Sequence, residues 1–395
     1  MKPSEEETKL LLSDWHVRAT ILEILRITNR ARSTFSEVIS QELRRKKNLS
    51  SKRRRAISNA AYRMVRMRRL IDFLLDEATR KTNTSAEKLT PEDSNLARFA
   101  LGLLTIDGMR AERISEGDFP SWITPLVDSL GSVDEACAEI PEDINRLAVK
   151  SSMPLWFAKT VVGERGYDEA AQLLHGMNPR APLTIRTNTL KVNRETLIQR
   201  LADEEIEAKP CALSPYGLFL RDHRNIRALY AYRKGLFEAQ DEGSQLIAQL
   251  VAPPEGGKVL DLCAGAGGKT LALAAMMQNR GEIIATDIEP RRLARLKPRL
   301  ARSGATNISL RPWGKKLPKG WRGRADRVLL DAPCSGSGTL RRNPGMRWQL
   351  SQENVSSLSE TQAQIIEDAI RLVRPGGRII YATCSILAEE NEAVV

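Results

Sequence analysis

From residue 12 to about residue 150, apolar side chains recur at three- and four-residue intervals and do not alternate, which is the period of amphipathic helices. Val17, Ile21, Ile24, Leu25 and Thr28 share one face of a predicted helix that Ser13 or Asp14 caps. Residues 35–43, 56–77 and 96–104 repeat the pattern, with proline and serine confined to joints such as residues 83–95. Pro154-Leu-Trp-Phe157 opens more helix, and Asn178-Pro-Arg-Ala-Pro182 reads as a linker. Residues 183–187 then alternate as a strand, residues 194–201 return to helical spacing, and Leu218-Phe-Leu220 and Leu236-Phe237 read as short extended pieces. From about residue 240, apolar runs alternate with helical stretches, the mark of a doubly wound parallel sheet. Its five strands end near Asp261, Asp287, Leu310, Asp331 and Thr383. Ser359-Glu-Thr-Gln362 resembles a capping box and is expected to open a helix that Pro375-Gly-Gly377 ends. The predicted organisation is an all-helical domain over 1–150, a linker and small α/β subdomain over 151–240, and a doubly wound domain over 241–395.

The first strand of that sheet runs into Val259-Leu-Asp-Leu-Cys-Ala-Gly-Ala-Gly-Gly-Lys-Thr270, and a run of helix formers follows at Leu271-Ala-Leu-Ala-Ala-Met-Met277. Gly265, Gly267 and Gly268 remove Cβ atoms where a ligand approaches the backbone. Asp287 closes the second strand about 20 residues further on, the spacing at which a carboxylate bonds a ribose hydroxyl. A nucleoside cofactor at this turn is the expectation, against a plain glycine turn in a ligand-free βαβ unit.

Composition narrows the partners. The 395 residues carry 61 Lys and Arg against 49 Asp and Glu, a net charge of +12, which suits a polyanion such as RNA or DNA. Positive charge bunches in the helical part, at Arg44-Arg-Lys-Lys47, Lys52-Arg-Arg-Arg55, Arg63, Arg66, Arg68 and Arg69. That bunching predicts a phosphate-contacting surface rather than an ordinary solvated helix face. With only Tyr62 interleaved, base stacking there is not indicated. No apolar run is long enough to span a bilayer, and Met1-Lys-Pro-Ser-Glu-Glu-Glu7 lacks the apolar centre of a secretory signal. The five cysteines show no metal-binding spacing and no disulfide framework, so a reducing cytoplasm and no metal are expected. His175 and His223 are isolated and read as structural or surface residues.

Two cysteines leave strands at one end of the sheet. The fourth strand runs into Asp331-Ala-Pro-Cys334-Ser-Gly-Ser-Gly338, and the fifth into Thr383-Cys384-Ser385. Ligands of doubly wound sheets sit outside the carboxyl ends of the strands. If the first, fourth and fifth strands lie in succession, both thiols face the reactive part of a cofactor at the glycine turn. Small buried cysteines are the alternative, but Pro333 and the glycines after Cys334 favour a shaped catalytic loop.

These motifs carry a family likeness. Asp261-Leu-Cys-Ala-Gly-Ala-Gly-Gly-Lys-Thr270, Asp331-Ala-Pro-Cys-Ser-Gly-Ser-Gly-Thr-Leu-Arg-Arg-Asn-Pro344 and Tyr381-Ala-Thr-Cys-Ser385 with Glu389-Glu-Asn391 resemble the RNA cytosine-5 methyltransferases of the NOL1/NOP2/Sun family. Arg180-Ala-Pro-Leu-Thr-Ile-Arg-Thr-Asn188 and Gln240-Asp-Glu-Gly-Ser-Gln245 resemble the middle region of a bacterial member that methylates 16S ribosomal RNA, and the helical start resembles its NusB-like domain. The resemblance implies a Rossmann-like methyltransferase domain preceded by an all-α NusB-like domain and a small α/β subdomain. It implies S-adenosyl-L-methionine as cofactor and a cytosine in small-subunit ribosomal RNA as substrate; a monomer is the separate expectation for this chain. By family correspondence Cys384 is the nucleophile and Cys334 assists the later elimination. Asp331 bonds the base, Lys269 helps position it, and Cys263, Ala264, Gly265, Ala266, Gly267, Gly268, Lys269, Asp287 and Asp331 hold the cofactor. A thiol at its ordinary pKa is only a few per cent ionised, so nearby cations are expected to lower that of Cys384. Arg341, Arg342 and Arg347 are expected to hold RNA phosphates.

There are departures from the family pattern. Gly265-Ala266 stands where the family turn carries Ala-Pro, and Arg311-Pro-Trp-Gly314 lacks the carboxylate expected after the third strand. The chain also stops at Val395, before the final antiparallel strands, as a shortened gene product would. The alternative these departures favour is a catalytically weak or inactive RNA-binding ribosome-assembly factor derived from such an enzyme.

Overall fold

The structure is a computed structural model describing residues 3–28, 34–84, 89–106, 109–221, 225–313 and 320–395; His223 lies outside them. By contact the chain forms two compact units, 1–180 with 336–352, and 181–335 with 353–395. The first cut falls inside the stretch read as a linker.

Among the described residues, every regular element of the first unit is helical. Asp14, not Ser13, caps helix Trp15–Thr28 by accepting the Val17 N–H at 3.2 Å. Thr34 and Glu37 form a reciprocal capping box on helix Phe35–Arg45. The single helix expected over 56–77 is two helices, Ser51–Arg66 and Arg68–Lys81, broken at Met67. No proline or glycine marks that break. The Ser152 hydroxyl supplies it, accepting the Arg69 N–H at 3.0 Å from a loop distant in sequence. Ile21, Ile24, Ile57, Leu74, Phe99 and Leu101 form the centre of the core.

The segment after the Cys334 loop belongs to this unit. Pro344–Trp348 makes a short 3₁₀ turn in which Arg347 is fully buried. Its guanidinium donates to the Arg66 carbonyl at 2.9 Å, the Asn178 Oδ1 at 3.0 Å, the Ser152 carbonyl at 3.2 Å and the Met177 carbonyl at 3.3 Å. Trp348 Nε1 donates to the Val65 carbonyl at 2.8 Å. Arg347 is therefore a structural tie and not the RNA contact expected of it. Burial, with Arg66 beside it, pushes its pKa down to about 9.

The second unit holds two sheets. Strands β1 (Leu183–Thr187), β2 (Ala208–Pro210), β3 (Gly217–Leu220) and β4 (Phe237–Ala239) form an antiparallel sheet of order β2-β3-β1-β4. Helix Arg194–Ala202 packs Leu197 and Leu201 onto Ile185, Leu218 and Phe237. Strands β5 (Lys258–Asp261), β6 (Glu282–Ala285), β7 (Ile308–Leu310), β8 (Ala325–Asp331) and β9 (Val373–Ala382) form a parallel sheet of order β7-β6-β5-β8-β9. The first, fourth and fifth of these strands are thus neighbours, as the sequence argument required. The order reverses at β5, the position where such sheets open a crevice.

One expected boundary is wrong. Helix Gln352–Leu372 begins seven residues before Ser359, so Ser359-Glu-Thr-Gln362 lies inside it and caps nothing. Val355 is buried on the added turns, and Gln362 is fully buried against the Cys334 loop.

Arg347→Ala would orphan three backbone carbonyls inside the first unit. It is expected to cost about 3 kcal/mol, read as a lowered urea midpoint; an unchanged midpoint would contradict the tie.

Candidate active site

The glycine turn is held by its own backbone and by strand β6. Ala264 N–H donates to the Thr286 carbonyl and Gly267 N–H to the Ala264 carbonyl, both at 2.8 Å. Gly265 and Gly267 have φ of +53° and +79°, and a Cβ on Gly267 would collide with Leu296. Gly265, in place of the family alanine, is thus used for a left-handed backbone. Asp287 is 2 % exposed; its Oδ2 accepts the Gly265 N–H at 2.9 Å and its Oδ1 the Glu289 N–H at 2.8 Å. In this structure it shapes the turn.

A cleft of ≈ 320 Å³ opens on the turn. Of the predicted residues, Cys263, Ala264, Gly265, Ala266, Gly268, Lys269 and Asp331 line it, whereas Gly267 and Asp287 sit behind the wall. Gln240, Asp241, Ser244, Asp261, Arg292 and Arg299 also line it, and sequence reasoning did not pick them as ligand contacts. A signal for three of them was present: the polar run Gln240-Asp-Glu-Gly-Ser244 opens helix Glu242–Val251 just before the first parallel strand. Asp261 is 2 % exposed, with Oδ2 accepting the Thr270 hydroxyl at 2.6 Å and Oδ1 buried without a partner. Burial pushes its carboxyl up to about 7, against a pull down from Thr270 and a further push from Asp331. The glycine cradle and this orphaned acceptor fit a nucleoside cofactor that also carries a cationic group.

Lys269 Nζ pairs with Asp331 Oδ2 at 2.6 Å, joining the glycine turn to the end of β8. Beyond Asp331 the two cysteine loops meet. The Cys334 and Cys384 sulfurs are 3.1 Å apart, and Cys384 N–H donates to the Cys334 sulfur at 3.2 Å. The thiol expected to be acidified is not. The hydrogen bond with Cys334, burial and the negative charges of Cys334 and Asp331 push the Cys384 pKa up; Lys269 opposes them and is outweighed.

Glu390 laces the two loops and is fully buried. Its Oε1 accepts the Ser335 N–H at 2.7 Å and the Gln362 amide at 3.2 Å, and its Oε2 accepts the Ser335 hydroxyl. The Tyr381 hydroxyl donates to the Glu390 carbonyl at 2.6 Å. Asn391 Oδ1 accepts the Thr383 hydroxyl at 2.7 Å. Among the described residues no group of three or more His, Cys, Asp or Glu is placed to hold a metal ion, and no helix is long and apolar enough to cross a membrane.

A glycine turn at the switch point of a parallel sheet, with chemistry at the ends of the neighbouring strands, defines a Rossmann-like domain of methyltransferase type. The crystal structure of PH0851 matches 100% of this chain and 89% of its own, with a TM-score of 0.71 at 26% identity. A methyltransferase homologue from Pyrococcus horikoshii matches 65% of this chain and 81% of its own, with a TM-score of 0.58 at 27% identity. Residues 248–395 match the family model of the 16S rRNA methyltransferase RsmB/F, and residues 153–227 match the ferredoxin-like domain of the same proteins. These matches support the RsmB family of the NOL1/NOP2/Sun group for this chain. The chain is 33% identical over 255 residues to the ribosomal RNA small subunit methyltransferase B of Sodalis glossinidius, a match covering 64% of this chain and 58% of that relative's length. That match spans little more than half of the relative.

Two outcomes test the site. Dilute hydrogen peroxide is expected to link Cys334 to Cys384, two thiols giving one disulfide while peroxide is reduced to water, with the linked peptide found by mass spectrometry. Oxidation of Cys384 alone to a sulfinic acid would mean that the sulfurs are not neighbours in solution. The folded pKa of Asp261 lies above its unfolded value, so its contribution to stability is full below about pH 4 and is lost as pH rises towards about 7. The melting temperature of Asp261→Asn minus that of the parent is therefore expected to increase over that interval; a pH-independent difference would remove the assignment.

Proposed function

We propose that this chain transfers a methyl group from S-adenosyl-L-methionine to carbon 5 of a cytosine in 16S ribosomal RNA, through a covalent adduct of Cys384 with carbon 6. One observation carries the reading: two cysteine sulfurs 3.1 Å apart at the ends of adjacent strands, beside a glycine-lined cleft. The domains read from sequence enter as part of the proposal, with 1–150 as a NusB-like RNA-binding domain, 151–240 as linker and small α/β subdomain, and 241–395 as the methyltransferase domain. Ribosomal RNA is the partner, and the chain acts as a cytoplasmic monomer without a metal.

The roles follow from charge and position. The cofactor supplies an electrophilic methyl group on a sulfonium centre. Gly265, Gly268 and the backbone from Cys263 to Lys269 hold its nucleoside part, while Asp287 keeps the turn in shape for the ribose. Carbon 5 of cytosine is a poor nucleophile until a thiolate adds to carbon 6. Cys384 must first give up its proton to the solvent it is exposed to, which leaves the neighbouring Cys334 sulfur free to act as base later. The hydrogen bond with Cys334 and burial favour the thiol form of Cys384 in the empty site. Asp331, held by Lys269, bonds the ring-nitrogen and amino edge of the cytosine and steadies the adduct. Cys334 then takes the carbon 5 proton, the carbon–sulfur bond breaks, and Cys384 is restored. The target base has to leave any helix to reach these groups.

A second reading, an inactive assembly factor that binds RNA, is favoured by Arg311-Pro-Trp313 after β7, where no carboxylate stands. Calorimetry separates the two: failure to bind S-adenosylmethionine at millimolar concentration with RNA binding intact supports the factor. For the enzyme, Cys384→Ala is expected to abolish methyl transfer to 16S RNA, and Cys334→Ala to leave a covalent RNA complex on a denaturing gel. Full activity of Cys384→Ala would sink the proposed nucleophile.

A further inference from the structure

We infer that the helical unit contains a built phosphate site, in which Arg63, Arg66, Arg180 and Arg341 hold one backbone phosphate of an RNA strand. The inference rests on RNA as the partner and adds where the strand is gripped. Three stretches far apart in sequence meet here. Arg341 Nη2 donates to the Arg180 carbonyl at 3.0 Å and its Nε to the Pro179 carbonyl at 3.3 Å. The Arg66 carbonyl accepts from buried Arg347 at 2.9 Å, which fixes helix Ser51–Arg66 against the same segment. Arg63, one turn earlier, is oriented by the Thr105 hydroxyl, 3.3 Å from its Nε.

Cations crowd Arg66. Burial and the guanidinium groups of Arg63, Arg180 and Arg341 push its pKa down to about 10, against a small opposing effect of Tyr62. Arg66 Nε is buried and has no hydrogen-bond partner. The carboxylate that acts on Arg180 is Glu7, which accepts from the Asn59 amide at 3.1 Å. Guanidinium groups gathered this closely repel one another, and the unpartnered buried donor of Arg66 adds a desolvation cost. A phosphate offsets both: it brings negative charge and several acceptor oxygens matched to the guanidinium fork. Arg180 is exposed, while Arg63, Arg66 and Arg341 are half-buried, so the cluster is open to a strand on one side and backed by protein on the other. Other basic residues of the unit are engaged differently. Arg45 pairs with Glu42, Lys52 with Glu6 and Arg53 with Asp14, and Arg54 donates to the carbonyls of Leu43 and Lys46.

The test is fluorescence anisotropy of the full chain with a labelled single-stranded oligoribonucleotide across a potassium chloride series. Arg180→Ala and Arg66→Gln together are expected to raise Kd about tenfold and to reduce the slope of log K against log salt by about 0.7, one phosphate on a single strand. Arg227→Ala, an exposed arginine in the other unit, is expected to change neither. Arg180→Ala alone, at an exposed position, guards against misfolding and is expected to give a smaller shift in the same direction. Unchanged affinity and slope in the double variant, or a parent chain that does not bind RNA, overturns the site. Binding with the expected slope change but no methyl transfer by the parent leaves the site standing and overturns the proposed activity instead.

Discussion

The carboxylate of Glu390 is the interaction on which the site's geometry depends. A fully buried carboxylate is costly unless donors surround it, and here the Ser335 N–H and hydroxyl and the Gln362 amide do so. Those donors come from the Cys334 loop and from helix Gln352–Leu372, while Glu390 itself lies six residues past Cys384. Solvating that one group therefore fixes the two sulfurs beside each other. Parallel strands β8 and β9 bring the loops into range, and the carboxylate sets their spacing.

The same economy appears at the glycine turn. Asp287, which the spacing rule assigns to a ribose, accepts two backbone N–H groups and so dictates the left-handed path of Gly265. Lys269 joins that turn to Asp331, and both line the cleft. Lys269 is paired with Asp331, and its pull on the Cys384 thiol is outweighed by the hydrogen bond with Cys334, by burial and by the charges of Cys334 and Asp331. The local field around the sulfurs is set by Asp331 and by the neighbouring sulfur.

Much of this was legible in the sequence because parallel strands are short apolar runs that end in polar residues. Asp261, Asp331 and Cys384 announce the ends of three strands, and strand order alone gathers them. What could not be read depends on partners distant in sequence. The break at Met67 is made by Ser152, and nothing near residue 67 signals it. The capping-box pattern at Ser359 is a true local signal, overridden because Val355 continues the buried face upstream. Strand β2 is three residues long and mostly exposed, too little for a periodicity to register. Arg347 looks from sequence like any basic residue near a polyanion; only its burial turns it into a tie. The direction of the Cys384 shift needed the distance to Cys334, which no spacing provides.

That tie has a consequence for how the chain matures on the ribosome. Synthesis is vectorial, and domains usually close in the order they emerge. Here the N-terminal helices lack Arg347 and Trp348 until residue 348 has left the exit tunnel, by which point β1 to β8 have already appeared. The first part to be made is thus among the last to be completed, and it must wait, with the carbonyls of Arg66, Ser152 and Met177 facing water, while the strands between are translated.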